Sequence, residues 1–142
     1  MMPDSVVLFA AVILLFPMGY LLLAAPAFLL VKLDIQPVGL LLRAMFNGYF
    51  LTLSVAAVLA TIVVALDGRL ALTVGISLIA ALTIASRRWF LRQMDAGLRD
   101  REAGDADAPR RLRQLHWGGM LGNAVQLAVV ISSIPYVAAA PA

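Results

Sequence analysis

The stretch from Arg110 to Gln126, RRLRQLHWGGMLGNAVQ, decides how this chain is read. It opens as a basic approach, passes through the only histidine, His116, and then carries Asn123 and Gln126 into apolar sequence. Polar side chains in hydrocarbon cost free energy unless they face protein, a cavity or a ligand, so a polar stripe on a membrane helix points to function. At about 100° per residue, His116, Gly119, Asn123 and Gln126 fall within roughly one third of the helical circumference, with Gly122 at its border. Gly118 and Gly122 add the GxxxG spacing that lets another helix approach closely.

Composition agrees with that reading. The chain has 142 residues, of which 63% are hydrophobic and 13% charged. Ordinary soluble domains carry about 45–50% apolar and about 25% charged residues, so the bilayer is the expected solvent. The net charge of +3 does not describe a nucleic-acid binder, because eight of the eleven Lys and Arg are arginines between Arg87 and Arg113. They are mixed there with Asp95, Asp100, Glu102, Asp105 and Asp107, as in a cytoplasmic loop that sets membrane orientation. Without cysteine, and with one histidine, the chain offers no disulfide, thiolate metal site, cysteine nucleophile or multi-histidine metal site of its own. No catalytic residue, metal or cofactor is identified by the sequence.

The expected fold is all-α, a four-helix transmembrane bundle in a single domain spanning 1–142. Spans are expected at about 6–31, 39–66, 70–86 and 115–137, with a cytoplasmic loop at 87–114. Pro17 and Pro26 interrupt the first span and free carbonyls one turn earlier, at Ile13 and Leu22, so it is expected to bend. Ala25-Pro26-Ala27 loosely matches a signal-peptide cleavage site, but the preceding run lacks a basic residue and is long for a leader, so the span is expected to stay. Asp67-Gly68-Arg69 is a tight-turn signal and Gly104 to Pro109 a second break, with Asp107 placed to cap the next helix. Between them Leu91, Met94 and Leu98 recur at helical spacing. The third helix is therefore expected to run past the headgroups with an apolar edge along the membrane surface. Trp89 and Trp117 would mark the interface on the arginine-rich side and Tyr136 the opposite one.

Loops one and three of a four-span protein share a side, and they hold Lys32 and the arginines. That places them in the cytoplasm and both termini outside, in the inner membrane if the host is a bacterium. The second and fourth spans then enter from the same side. Counted from Gly39 and Leu115, Asn47 and Asn123 each lie roughly 12 Å deep and are expected to meet. Arg43 is one turn shallower than Asn47 on the same face. The candidate ligand-binding set is Arg43, Asn47, Tyr49, His116, Asn123 and Gln126, with Pro26, Gly118, Gly119 and Gly122 shaping the packing around it. Each has an ordinary alternative: Arg43 as a snorkelling cation, His116 as an interfacial hydrogen bonder, and the amides as interhelical glue. No Asp or Glu falls within a span, which argues against a carboxylate proton relay.

Three segments together carry a family resemblance: AAPAFLL (24–30), LLRAMFNGYF (41–50) and RRLRQLHWGGMLGNAVQL (110–127). The chain resembles the four-span membrane domain shared with eukaryotic transmembrane protein 205. The likeness rests on Pro26, Phe46, Tyr49, Leu115, His116, Asn123 and Leu127. That family has no settled biochemical activity, so the resemblance implies architecture. Arg43-Ala44 followed by Asn47 is also similar to the start of the second span in the four-span eicosanoid and glutathione enzymes. Their pattern continues to a glutamate, where Phe50 and Leu51 stand here. The leading expectation is an oligomeric membrane protein that binds or translocates a small anionic or amphipathic molecule, lipid included, at a polar pocket on the cytoplasmic side. An accessory subunit of a larger membrane complex is the second reading, and a glutathione-dependent membrane enzyme the third.

Overall fold

A computed structural model describes residues 4–33 and 35–138, with side chains described up to Pro135. Among these, helix α1 covers Ser5–Ala24 and continues as a 3-10 turn over Ala25–Leu29. Helices α2 (Gln36–Leu66), α3 (Leu70–Glu102) and α4 (Ala108–Ala138) follow. All four are long and apolar enough to cross a membrane, which makes this an integral membrane protein with a four-helix bundle. Tyr136 lies beyond the described side chains.

Local chemistry sets these boundaries. The Asp4 carboxylate accepts from the Val6 amide at 3.0 Å and caps α1. Pro37 sits in the first turn of α2, where a missing amide hydrogen costs nothing. Gly68 and Gly104 take φ of +76° and +86°, the left-handed conformation that closes the turns after α2 and α3. The two prolines of the first span behave differently. Helix α1 passes Pro17 without a break, whereas it tightens to 3-10 geometry at Ala25, just before Pro26. Thr73 and Thr83 return their hydroxyls to the carbonyls of Arg69 and Ile79, as expected of such residues within an apolar helix.

The helices form a ring in which α1 lies beside α2 and α4, and α3 closes the other side between the same two. Helices α2 and α4 are therefore diagonal and meet only through long side chains across the centre. That centre is filled by Met18, Leu21, Leu42, Phe46 and Leu53, all fully buried. Phe16, Leu23 and Leu30 are 76%, 83% and 89% exposed, as suits a surface solvated by lipid chains.

Contacts between distant segments fix which ends lie together. Arg69 bonds Asp4 at 2.7 Å, so the N-terminus adjoins the second loop. At the opposite end Gln36 bonds Glu102 at 2.8 Å, joining the first loop to the third. The charged extension of α3 departs from expectation. Its apolar edge does not lie free along a membrane surface: Leu98 crowds Gly39 of α2, and Leu112 of α4 packs on Gly97. Met94 and Leu98 are buried there. Because α2 and α4 themselves begin well before the apolar spans, they give α3 a partner at that end.

Candidate functional site

Helix α4 turns its polar stripe inward. His116 is fully buried, and its Nε2 lies 2.8 Å from the Ala25 carbonyl, to which it donates. Edge-on contacts with Phe28 and Phe46 enclose the ring, at centroid distances of 6.1 and 5.9 Å. Nδ1 is buried with no hydrogen-bond partner among the described residues. One turn further on, Gly119 is a packing residue: a Cβ there would lie 2.5 Å from the Phe46 ring. Asn123, 2% exposed, donates its amide to the Met18 carbonyl at 2.9 Å and accepts from the Tyr49 hydroxyl at 2.8 Å. The same hydroxyl lies 3.4 Å from Gln126 Oε1. Tyr49, His116, Asn123 and Gln126 are thus brought into one inner network, with Phe46 as its apolar centre.

Arg43 and Asn47 are not part of it. They share a face of α2, as their spacing implies, but that face looks at α3. The Arg43 guanidinium makes a two-point ion pair with Asp95, its Nη2 at 3.0 Å from Oδ2. Asn47 accepts from Arg87 Nη2 at 2.7 Å. The expected meeting of Asn47 with Asn123 does not occur. Tyr49, two residues on from Asn47, stands level with Asn123 instead, and position along a helix does not fix azimuth. Phe46, Tyr49, Phe50 and Leu53 form the i, i+3, i+4, i+7 stripe that faces inward, and Asn47 lies off it toward α3.

A second set of contacts closes the charged end. The turn after α1 leaves carbonyls without helical partners, and arginines from α3 and α4 take them up. Arg113 donates to the carbonyls of Phe28 and Val31 at 2.5 and 2.6 Å. Arg101 donates to that of Leu33 at 2.9 Å, and at 3.3 Å to that of Ile35, which also opens α2 by accepting from the Val38 and Gly39 amides. Part of the arginine-rich segment therefore holds the fold. Arg113 lies one turn before His116 on the same face of α4, a spacing that would have disclosed its role.

Between α3 and α4 the bundle opens. A groove of about 550 Å³ runs from Asp100 and Arg111 at the charged end to Asn123 and Gln126. Its floor is Tyr49, Phe50 and Phe90, and its α4 wall includes Gly118, Gly119 and Gly122. Its α3 wall follows a helical stripe, Ser86, Trp89, Phe90, Gln93, Ala96, Gly97 and Asp100. That periodicity was present in the sequence beside the Leu91, Met94 and Leu98 edge and is the functional signal the sequence reading missed. A Cβ at Gly118 or Gly122 would meet nothing within 4 Å, so these two border open space. Of the sequence-derived candidates, Tyr49, Asn123 and Gln126 line the groove, while Arg43, Asn47 and His116 do not. Pro26 is exposed beside the His116 acceptor, Ala25.

The cation on the groove is already engaged. Arg111 bonds Asp100 at 2.9 Å and Asp105 at 2.6 Å. That arginine, first, and then the Asp107 amide hold the Asp105 carboxyl below the usual aspartate range. No cluster of potential metal ligands occurs among the described residues. Compared with protein-family models, curated proteins and solved structures, the chain has no significant match, so its own geometry carries the functional reading.

Proposed function

We propose that the protein binds a small amphipathic molecule of the bilayer, with lipid in that class, in the groove between α3 and α4. The observation that carries this is a groove of about 550 Å³ with hydrogen-bonding groups of Tyr49, Asn123 and Gln126 at its inner end. Ligand sites commonly enclose about 300–1,000 Å³ and set a few polar groups in an apolar lining. The anionic alternative loses support, because Arg43 pairs with Asp95 and Arg111 with two carboxylates. Binding is favoured over translocation, since the groove ends at Gln126 rather than continuing to the far side. In this reading the charged end is cytoplasmic and both termini lie outside, the orientation that the arginine excess favours.

The resemblance to the transmembrane protein 205 domain forms part of the proposal. Phe46, Tyr49, His116 and Asn123, four of the residues that carry it, lie in one connected network. The glutathione-enzyme reading is weakened, since Arg43 and Asn47 are both committed to partners on α3. One observation favours an accessory role, namely the open face at Gly118 and Gly122, where a foreign helix would fit.

Native mass spectrometry of gently extracted protein tests the reading. The parent should carry an adduct of lipid mass that Gly122→Leu loses, because Gly122 lines the groove and a Cβ there meets nothing within 4 Å, so the added side chain enters the groove. Equal adducts on both proteins would contradict it. A stoichiometric foreign subunit in place of the adduct would establish the accessory role.

A further inference from the structure

We infer that the head group taken by this groove is a flat, uncharged, carbonyl-bearing ring of the quinone class. The inference rests on the groove reading above and concerns binding alone. Three independent features of the inner end point to it.

Depth excludes charge. Counted from Leu115, Asn123 and Gln126 lie roughly 12–16 Å along α4, near the middle of a hydrocarbon core about 30 Å thick. A charged head group at that depth would need an unpaired counter-charge. Arg111, the cation lining the groove, lies at its mouth and is held by Asp100 and Asp105.

The unused hydrogen-bonding capacity fits a carbonyl. Tyr49 gives its proton to Asn123, and Asn123 gives one amide hydrogen to Met18. Gln126 is approached only at Oε1, so its Nε2 has no partner among the described residues. Gln126 lines the groove and is half-buried; because the one Tyr49 proton goes to Asn123, the Gln126 amide can turn one N–H to the Tyr49 oxygen, and at least one N–H donor is left for an acceptor within the groove. A saturated chain would leave it unmet.

The shape fits a ring. Tyr49 and Phe50 lie 5.0 Å apart, and Phe50 and Phe90 5.4 Å, forming an aromatic floor. Glycines stand opposite on α4, and a Cβ at Gly118 or Gly122 would meet nothing within 4 Å, which leaves room for a ring beside that floor. Because the Phe50 and Phe90 planes are inclined by 55°, a flat ring would stack offset on one and meet the other edge-on, with a ring carbonyl toward Gln126 and an attached chain leaving between α3 and α4 into lipid.

Trp89 also lines the groove and serves as the reporter. In a Trp117→Phe background it is the sole tryptophan, and quinones quench indole fluorescence on close approach. Titration of the purified protein with decylubiquinone should give saturable quenching at one quinone per chain. Gly122→Leu should abolish saturation, and Gln126→Leu should weaken binding roughly three- to tenfold, the loss of one hydrogen bond. Decylbenzene, which has the ring and chain but no carbonyl, should reverse the quenching only with an apparent affinity at least tenfold weaker than that of decylubiquinone.

If decylbenzene competes equally and Gln126→Leu binds as the parent does, the carbonyl head group is wrong while the groove survives. If quenching rises linearly with added quinone and is the same in Gly122→Leu, the groove reading itself is wrong.

Discussion

The two faces of α4 use the same kinds of residue to opposite ends. On the face turned to α1 and α2, His116 and Asn123 donate to backbone carbonyls, and Gly119 is a glycine because the Phe46 ring occupies the place of a side chain. On the side turned to α3, Gly118 and Gly122 border open space, and Gln126, at the edge of the inner stripe where it meets the groove, has no partner for its Nε2 among the described residues. The inner face is closed by packing, with the His116 Nε2 and Asn123 N–H groups given to backbone carbonyls and His116 Nδ1 buried without a partner among the described residues. The outer face is unfinished, and unfinished hydrogen bonding beside a cavity is what a ligand completes. Polarity in a span is therefore not one signal. Its meaning depends on whether the group finds a backbone partner.

Mutations can break or sharpen this contrast. The largest effect is expected from His116→Ala, which strips the Ala25 carbonyl of its donor and opens a void between Phe28 and Phe46. A loss of about 1–3 kcal/mol follows from leaving a buried acceptor unmet. Reversible unfolding in mixed micelles measures it, and an unchanged midpoint would mean that the inner face is not closed by this contact.

Tyr49→Phe should cost less, about 0.6 kcal/mol, the average for a hydrogen bond between membrane helices. Its effect should vanish in an Asn123→Leu background, since the two groups bond each other. Additive losses in that double-mutant cycle would separate them.

The smallest effect concerns the exposed mouth of the groove. Asp105 has a depressed pKa in the folded chain, so its pairing with Arg111 contributes stability above the usual aspartate value of about 3.9 and loses it as pH falls through the lower folded value. Exposed pairs contribute little. Asp105→Asn should therefore flatten the acid limb of the stability curve slightly and leave neutral pH nearly unchanged. A large loss at neutral pH would show that this loop carries more of the fold than the account allows.

Much of the architecture was legible in the sequence because hydrophobic runs, proline and glycine breaks and a localised arginine excess are one-dimensional signals. Four spans, both turns and the side-by-side placement of loops one and three follow from them. The inward stripe of α4 was legible too, since helical periodicity fixes which residues share a face. What periodicity leaves open is which neighbour a face meets. Arg43 and Asn47 were correctly placed on one face of α2, yet that face belongs to α3 because the ring sets α2 diagonal to α4. The role of Arg113 and Arg101 in capping the end of α1 depends on a 3-10 turn that releases carbonyls. The groove is a gap between helices, and residues beside a gap look in sequence like residues beside a neighbour.

The same substitution made three residues apart tests the division of α4 most directly. Gly119→Ala and Gly122→Ala both gain helix propensity, by roughly 1 kcal/mol in an exposed position. Only Gly119→Ala drives a methyl group into the Phe46 ring. Thermal unfolding of the two variants in detergent should place Gly122→Ala at or above the parent and Gly119→Ala clearly below it. Equal midpoints for the two, or the reverse order, would contradict a helix closed on one side and open on the other.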